Sequence, residues 1–330
     1  MRVLNEREYG LLERLVSLSQ SELHKTLGIY LKGKYKNIII EKEYIVAVGD
    51  IPIALVAHMD TVFYNQPGEV YYDQRKGVLW SPDGLGADDR AGIYAILQII
   101  QSGLRPSIIL TTDEERGGLG AQKLAKKECP IPFLKYLIQL DRKGSCDCVF
   151  YDCMNPEFIE YVEKFGFVER TGSFSDISFL MPAWKVCGVN LSVGYNDEHT
   201  IAETLNVGAL YRTIDAVKKM LKAENIPHFE YREISEKLSN YYKAMTPYNY
   251  EADYDIGTPC EYCGKYFFDF ELIPIKGYRS KKTKYCCSDC IVDNVNWCDN
   301  CGHAYEIGNS EEDIDLCTDC VEVLTSGKND

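Results

Sequence analysis

Short apolar runs alternate with helical patterns along the first two thirds of the chain. Between residues 37 and 141 these runs read NIIIE, YIVAV, IPIALVAH, SIILTTD and FLKYLIQLD. Apolar residues at helical spacing predict an amphipathic helical segment within residues 1–35 and helices over 90–102 and 206–223. Strands that alternate with helices predict an α/β fold, a three-layer sandwich around a mixed, mainly parallel sheet.

This pattern changes twice toward the C-terminus and predicts three parts. Residues 1–224 hold the alternating strands and helices and form the predicted catalytic domain. Residues 225–258 are rich in tyrosine, charge and proline, and we expect a helical and irregular linker. Residues 259–330 hold nine of the 14 cysteines, and we expect a small zinc-stabilised module there.

The cysteines of the C-terminal module fall into C-x-x-C pairs. Four pairs within 61 residues match the spacing of tetrahedral zinc sites, and such a short polar segment has little core of its own. We predict two structural zinc ions that stabilise the module. Their predicted ligands are Cys260, Cys263, Cys287 and Cys290 for one ion, and Cys298, Cys301, Cys317 and Cys320 for the other. A cross-braced pairing also fits the spacing, as does Cys286 or His303 in place of one ligand.

The charge balance limits the classes of partner. The 330 residues include 36 Lys and Arg against 50 Asp and Glu, a net charge of -14 at pH 7. This argues against broad nucleic-acid binding, because phosphate contacts need clustered basic side chains. The basic run 276–284 lies in a module with 14 acidic and 7 basic side chains, so we read it as a solvated loop. We read this module as a structural or protein-binding zinc knuckle, with a protein as its candidate partner.

The sequence also predicts where the protein works. It contains no apolar run of about 18 residues, so we expect no membrane span. The charged N-terminal segment lacks the apolar core of a secretory signal. We therefore expect a cytoplasmic protein.

Polar side chains with metal-binding chemistry follow the apolar runs. In open α/β sheets, ligands bind outside the carboxyl ends of the strands, so we expect these side chains to meet in one crevice. A further acid opens the helix at 90–102, and a histidine follows the run NLSVGYNDE. The residues at these positions are His58, Asp60, Asp88, Glu114, Glu115, Asp141 and His199.

This set has the chemistry for two divalent cations. Imidazole and carboxylate groups bind zinc, and two metals about 3.5–4 Å apart can share a bridging carboxylate and a hydroxide. Manganese or cobalt also suit such ligands. The predicted ligands are His58, Asp88, Glu115, Asp141 and His199. Glu114 then remains as a general base, and Asp60, two residues beyond His58, is predicted to orient the imidazole.

These residues together resemble a known family. AHMDTV, GLGADDRAG, TTDEE, the strand that ends in Asp141 and the later His199 resemble the co-catalytic di-zinc exopeptidases, which include peptidase T-like enzymes, aminopeptidases and carboxypeptidases. The resemblance covers residues 40–220 and implies a phosphorylase/hydrolase-like fold. It also implies that Asp88 bridges both metals and that Glu114 is the catalytic base. In the same resemblance, Asp60 supports His58, and the remaining metal ligands are His58, Glu115, Asp141 and His199.

The spacing of the motifs predicts a bare catalytic core. Only 57 residues separate Asp141 from His199, and 27 separate Asp60 from Asp88. Neither interval has room for the extra dimerisation or lid domain that several relatives insert. The chain therefore resembles the single-domain aminopeptidase branch of the family.

The predicted activity is hydrolysis of peptide bonds by a water that two metals activate, in an aminopeptidase for small peptides. A carboxypeptidase, a non-peptide amidase or deacylase with the same site, and an adaptor that acts through the zinc module remain as alternatives. Within GSFSDISF (172–179), Ser175 and Asp176 are candidate substrate contacts. A turn followed by an ordinary strand or helix is the alternative for that segment.

Overall fold

The computed structural model describes residues 2–232 and, toward the C-terminus, the segments 258–263, 266–267, 272–276, 283–287, 290, 295–297 and 304–306. Two compact units divide the chain, Met1–Met245 and Thr246–Asp330. The first unit contains the α/β pattern, and the second contains the C-x-x-C pairs. The three-part division at residues 224 and 258 remains a prediction.

An eight-stranded sheet forms the centre of the first unit. Its strands are β1 (Asn37–Ile40), β2 (Tyr44–Val48), β3 (Ile51–His58), β6 (Pro106–Thr111), β7 (Tyr136–Arg142), β8 (Asp147–Val149), β9 (Val168–Glu169) and β10 (Cys187–Ser192). They lie in the order β1-β2-β6-β3-β7-β10-β8-β9. The central neighbours β6, β3, β7 and β10 pair in parallel, while β1, β2 and β8 pair antiparallel with their neighbours β2, β6 and β10. The predicted mixed, mainly parallel sheet is confirmed.

Helices pack against this sheet to complete the sandwich. The helices of the first unit within residues 2–232 are α1 (Glu6–Val16), α2 (Gln20–Lys32), α3 (Ala87–Gln101), α4 (Leu119–Ala125), α5 (Pro156–Glu163), α6 (Asp176–Trp184) and α7 (Val207–Leu221). Helix α3 packs on α7, β3 and β7, whereas α6 packs on α4 and β10. Strands β6 and β10 are buried along their whole length, as expected when helices cover both faces of a parallel sheet. The predicted α/β sandwich and the helices at 90–102 and 206–223 are confirmed.

The predicted N-terminal helical segment is two helices rather than one. Ser19 breaks it, because its hydroxyl accepts a hydrogen bond from the backbone of Glu22 while the Glu22 carboxylate accepts one from the backbone of Ser19. Asn5 and Glu8 form the same reciprocal pair at the start of α1. A cap of this kind contributes about 1 kcal/mol to helix stability, which fixes where each helix begins.

A second, four-stranded antiparallel sheet joins distant parts of the first unit. Its strands are β4 (Tyr71–Asp73), β5 (Val78–Trp80), β11 (Tyr195–Asn196) and β12 (Thr204–Asn206), in the order β11-β12-β5-β4. The loop 197–203 connects β11 to β12, so this sheet holds both ends of the segment that carries His199. The backbone N–H of Val207 then donates to the carbonyl of Gly77, which ties the start of α7 to the β4–β5 hairpin.

The core of the first unit extends into the predicted linker. Within the described part of that linker, residues 225–232 are irregular and form no helix. Phe229 is buried, and its ring centroid lies 5.0 Å from that of Phe158 and 5.4 Å from that of Tyr161. Glu230 forms a β-bridge with Val186, so this segment packs on the domain that precedes it.

The described segments of the second unit include short strands. The strands within its described segments are β13 (Thr258–Pro259), β14 (Tyr266–Phe267), β15 (Leu272–Lys276), β16 (Thr283–Cys287), β17 (Val295–Trp297) and β18 (Ala304–Glu306). Strand β13 pairs with β14, and the other four form a sheet in the order β16-β15-β18-β17. Cys260, Leu272, Ile275 and Cys286 are buried together as a small cluster.

Candidate active site

The carboxyl ends of three adjacent parallel strands bring the predicted residues together. His58 is the last residue of β3, Glu114 and Glu115 follow β6, and Asp141 lies near the end of β7. Strand β3 is hydrogen-bonded to β6 on one side and to β7 on the other, so all three ends meet at one edge of the sheet. The convergence expected from the sequence is therefore observed.

Asp88 enters the site from the start of α3. Its φ and ψ of -78° and 107° are non-helical, as are those of Asp89, and the peptide bond between them is cis. The backbone N–H groups of Gly86 and Asp88 donate to the carboxylate of Glu203 at 2.5 and 2.9 Å. Asp89 is buried, and its carboxylate accepts hydrogen bonds from the backbone of His58 and Gly92.

Asp88 lies between the two predicted histidine ligands. Its Oδ1 atom is 3.1 Å from Nε2 of His58, and its Oδ2 atom is 3.3 Å from Nε2 of His199. Asp141 Oδ1 lies 3.5 Å from the same nitrogen of His58, and Glu115 Oε1 lies 3.1 Å from that of His199. Two groups of potential ligand atoms, each within 4.8 Å of one another, therefore share Asp88: one with His58 and Asp141, the other with Glu115 and His199.

The two groups differ in burial. The side chain of His58 is 1% exposed, whereas that of His199 is 42% exposed. His199 also has a positive φ of 63°, in the left-handed region that few residues other than glycine adopt. One candidate position is therefore enclosed by the sheet edge, and the other faces the loop that joins β11 to β12.

Asp60 connects the histidine to the two glutamates. Its Oδ1 atom lies 3.2 Å from Nδ1 of His58. Its two oxygens also accept hydrogen bonds from the backbone N–H groups of Glu114 and Glu115, at 3.1 and 3.0 Å. The Asp60 carboxylate therefore lies beside the second ring nitrogen of His58, where a carboxylate can orient an imidazole, and it binds the backbone that carries both glutamates.

Glu114 lies beside the cluster, and one of its oxygens lies within 4.8 Å of ligand atoms of His58 and Glu115. Its Oε2 atom is 4.0 Å from Nε2 of His58, a longer distance than those of Asp88 and Asp141. The residue is 8% exposed, and burial raises its pKa well above the usual value for glutamate. A buried carboxyl group with a raised pKa holds its proton more strongly than an exposed one, and such perturbed groups are typical of proton-transfer sites.

Three side chains hold Asp141 in place. The hydroxyl of Ser175 donates to Asp141 at 2.7 Å, the amide of Gln139 at 3.0 Å and the hydroxyl of Tyr195 at 3.1 Å. Ser175 is 2% exposed, and Asp176, which accepts a hydrogen bond from Thr111, is 0% exposed. The structure therefore places Ser175 and Asp176 inside the protein at the start of α6, where Ser175 contacts Asp141 and Asp176 contacts Thr111, and their proposed contact with a substrate remains a prediction.

The carboxylates of the cluster favour positive charge on its two histidines. Burial and the charge of Asp88 raise the pKa of Glu115 to about 7. Burial lowers the pKa of His199, but Asp88 and Glu115 more than offset this and raise it to about 11. Burial also lowers the pKa of His58. Asp141 and Asp60 outweigh this effect and raise the pKa of His58 well above its usual value. Divalent cations can supply the charge that protons supply here, and the imidazole and carboxylate donors fit zinc, manganese or cobalt.

Several supporting residues were not predicted from the sequence. Glu203 lies 115 residues from Asp88, and nothing in its local sequence marks the contact. Gln139 could have been identified, because it lies two residues before Asp141 on the same strand and therefore on the same face of the sheet. Tyr195 lies on a strand of only two residues, which is too short to show a pattern.

The cysteine module is described in part. The sulfur atoms of Cys260, Cys263 and Cys290 lie within 4.8 Å of one another, a grouping that can hold a metal ion. Cys287 ends strand β16. The side chain of Cys287, together with Cys298, Cys301, His303, Cys317 and Cys320, lies outside what the structure describes.

None of the helices within the described residues is long and apolar enough to cross a membrane.

Comparisons with known proteins place the fold. No protein-family model matches the chain, and no curated protein sequence matches it. Among solved structures, the aminopeptidase PepT from Bacillus cereus ATCC 10987 is 16% identical with a TM-score of 0.52, over 66% of this chain and 98% of that chain. A tripeptidase from Staphylococcus aureus is 14% identical with a TM-score of 0.53, over 67% and 98%. The TET aminopeptidase of a Thaumarchaeota archaeon is 13% identical with a TM-score of 0.52, over 67% and 98%.

At this level of identity the likeness concerns the fold. It agrees with the fold class that the sequence predicted, and these structural neighbours are peptidases by name.

Proposed function

We propose that this protein is a metal-dependent aminopeptidase that hydrolyses small peptides with a water activated by two divalent metals. The observation that carries the proposal is the position of Asp88, whose two carboxylate oxygens lie 3.1 and 3.3 Å from the Nε2 atoms of His58 and His199. A carboxylate that faces two histidines in this way suits a bridge between two cations. The aminopeptidase folds of the structural neighbours support the same assignment.

The residues divide into two ligand sets around Asp88. His58 and Asp141 would hold one metal, and Glu115 and His199 would hold the other, with Asp88 shared. Zinc is the metal we propose, and manganese or cobalt would fit the same donors. When bound, the metals polarise the scissile carbonyl and lower the pKa of the attacking water.

The protein side chains would carry the proton and hold the geometry. Glu114 would take the proton from the water, hold it on its carboxylate and deliver it to the leaving amine. Asp60 would keep His58 and the backbone of Glu114 in a fixed relation, because it contacts both. Ser175 would hold Asp141 through the 2.7 Å hydrogen bond between their side chains.

The structural neighbours favour a free amine over a terminal carboxylate as the recognised end of the peptide, because two of them are aminopeptidases by name. Lys143, two residues beyond Asp141, is already paired with Glu198 at 2.6 Å. We therefore propose removal of N-terminal residues.

We also propose that the cysteine module holds structural zinc, two ions in the full module, and serves to contact a protein partner. The close approach of Cys260, Cys263 and Cys290 supports the first of these sites, with Cys287 as the proposed fourth ligand. Cys263→Ser should lower the zinc content of the purified protein by about one ion per chain. An unchanged zinc content, measured by elemental mass spectrometry, would contradict this ligand assignment.

The proposed activity is tested by mass spectrometry of a peptide library after incubation with the full chain and added zinc, manganese or cobalt. Each peptide is present with a free and with an acetylated N-terminus. We expect stepwise loss of N-terminal residues from the free-amine peptides only. Loss of C-terminal residues would assign a carboxypeptidase, and no cleavage by a folded, metal-loaded protein would refute the peptidase proposal.

The role of Glu114 is tested with a matched pair of variants. Glu114→Gln should reduce turnover by about 100-fold or more while metal content stays near that of the wild type, because the residue is proposed to move protons rather than to bind metal. Glu157→Gln makes the same chemical change at an exposed position of helix α5 and should leave turnover unchanged. Turnover near the wild-type value in Glu114→Gln would show that another group is the base.

A further inference from the structure

An open cleft lies beside the start of helix α7, and none of the residues of the carboxylate cluster lines it. The cleft has a volume of about 810 Å³. The turn between β4 and β5 forms one side, helix α7 forms a second side, and Arg2 of the N-terminal segment forms a third side. Its size is in the range that holds a small molecule.

Cationic side chains dominate the lining of this cleft. Arg2, Lys76, Arg212 and Lys218 all line it, against one acid, Asp215. The chain as a whole carries a net charge of -14, whereas the lining of this cleft is positively charged. Like charges repel across a cleft, and an anion bound between them removes that repulsion.

Three of these cations are available to a ligand. Of the four, Arg2 forms an ion pair with Glu8. In the part of the chain that the structure describes, Lys76, Arg212 and Lys218 form no ion pair with an acidic side chain. A bound anion would therefore gain charge-assisted hydrogen bonds without first breaking internal ones.

One wall of the cleft is fixed in place. The hydroxyl of Tyr211 is 2.8 Å from that of Tyr94, and the guanidinium carbon of Arg2 lies 4.3 Å from the centroid of the Tyr211 ring. At the start of α7, a Cβ atom on Gly208 would lie 3.3 Å from Oδ1 of Asn206 and 3.8 Å from Nη1 of Arg212, so the side chains of Asn206 and Arg212 both approach Gly208 at the cleft.

We propose that this cleft binds a small polyanion that carries phosphate groups. Guanidinium and ammonium groups that line one cleft suit the several oxygens of a phosphate chain. The footprint of four cations is too small for nucleic acid, which needs an extended basic surface. This site stands independently of the proposed peptidase activity, because it shares no residue with the carboxylate cluster.

The test is isothermal titration calorimetry of the full chain with sodium tripolyphosphate as the probe, and with citrate in a parallel arm. We expect saturable binding of one tripolyphosphate per chain that weakens as NaCl rises from about 50 to about 300 mM, because salt screens exposed charges. The double variant Arg212→Gln/Lys218→Gln should bind at least about tenfold more weakly, a loss of about 1.4 kcal/mol or more.

Matched variants separate the cleft from other effects. Lys219→Gln removes a neighbouring positive charge on α7 that does not line the cleft, and it should bind within about twofold of the wild type. Any chelation of metal by the probe is the same in all variants. Lys76→Gln, on the hairpin, repeats the test from a second element if the double variant fails to fold, which its melting temperature shows.

The proposal has clear contrary results. Absence of saturable tripolyphosphate binding at low salt would overturn it, as would equal affinity of the wild type and the folded Arg212→Gln/Lys218→Gln variant. Citrate binding as tight as tripolyphosphate binding would overturn the assignment to phosphate. Equal loss in Lys219→Gln and the double variant would mean that general charge, rather than this cleft, holds the anion.

Discussion

Glu203 holds the backbone that carries Asp88, so its substitution tests how the site keeps its shape. The Glu203 carboxylate accepts hydrogen bonds from the backbone N–H groups of Gly86 and Asp88 at 2.5 and 2.9 Å. Glu203→Gln preserves the size of the side chain but replaces one acceptor oxygen by an NH₂ group. One of the two backbone N–H groups then faces a donor, and we expect the Asp88 carboxylate to lose its fixed position between the two histidines.

The expected magnitude follows from the hydrogen bond that is lost. Glu203 is 1% exposed, so water does not replace the missing acceptor. Hydrogen bonds to charged groups contribute about 1.5–3 kcal/mol. Because about 1.4 kcal/mol corresponds to a factor of ten in an equilibrium constant, the variant should bind metal about 10- to 100-fold more weakly.

Zinc affinity is measured by competition with a chromophoric chelator, on the metal-free full chain. Glu198→Gln is the matched control, because it makes the same change in the same loop. Glu198 pairs with Lys143, whose side chain is 49% exposed, and a surface pair of this kind contributes about 0–1 kcal/mol. The control should therefore weaken zinc binding by less than about fivefold.

Two results would refute the reasoning. Wild-type zinc affinity in a folded Glu203→Gln variant would show that Asp88 keeps its position without these hydrogen bonds. An equal loss of affinity in Glu203→Gln and Glu198→Gln would assign the effect to the charge of the loop rather than to the two backbone contacts.

Other changes act on the metals, on the ionisation of the cluster and on the core. Asp88→Asn should release both proposed metals while Glu115→Ala releases one, and equal metal loss in elemental mass spectrometry would contradict the bridging position. In the metal-free protein, burial and Asp88 raise the pKa of Glu203 from 4.5 to about 7, so the folded state keeps a proton that the unfolded state has lost. Stability from urea denaturation should therefore fall as pH rises from about 4.5 through 7, and a rise over this interval would contradict the assignment. Phe229→Ala should lower the free energy of unfolding of the first unit by about 3–5 kcal/mol, and a loss below about 1 kcal/mol would show that residue 229 lies outside its core.

The sequence predicted the part of the site that follows from strand geometry. His58, Glu114 and Asp141 each come at the end of an apolar run, and the carboxyl ends of parallel strands must meet at one edge of a sheet. These side chains lie together because β6, β3 and β7 are neighbours in the sheet. The central α/β fold was predictable for the same reason.

The remaining parts depend on contacts between distant segments. Glu203 acts on the backbone of Asp88 across 115 residues, and Ser175 acts on Asp141, so their roles appear only after the chain has folded. The second sheet was missed because its strands have two or three residues, too few to show an alternating pattern. The break between α1 and α2 could have been predicted, since Ser19 and Glu22 form an S-x-x-E capping signal in the sequence.

The unequal burial of the two histidines would give the two proposed metals different residence times. A cation beside His58, whose side chain is 1% exposed, could leave only if the sheet edge opened. A cation beside His199, which is 42% exposed, would exchange with the surrounding solution through the loop. Protein isolated from dilute buffer would then retain one ion and lose the other, and its turnover would follow the free metal concentration of its surroundings.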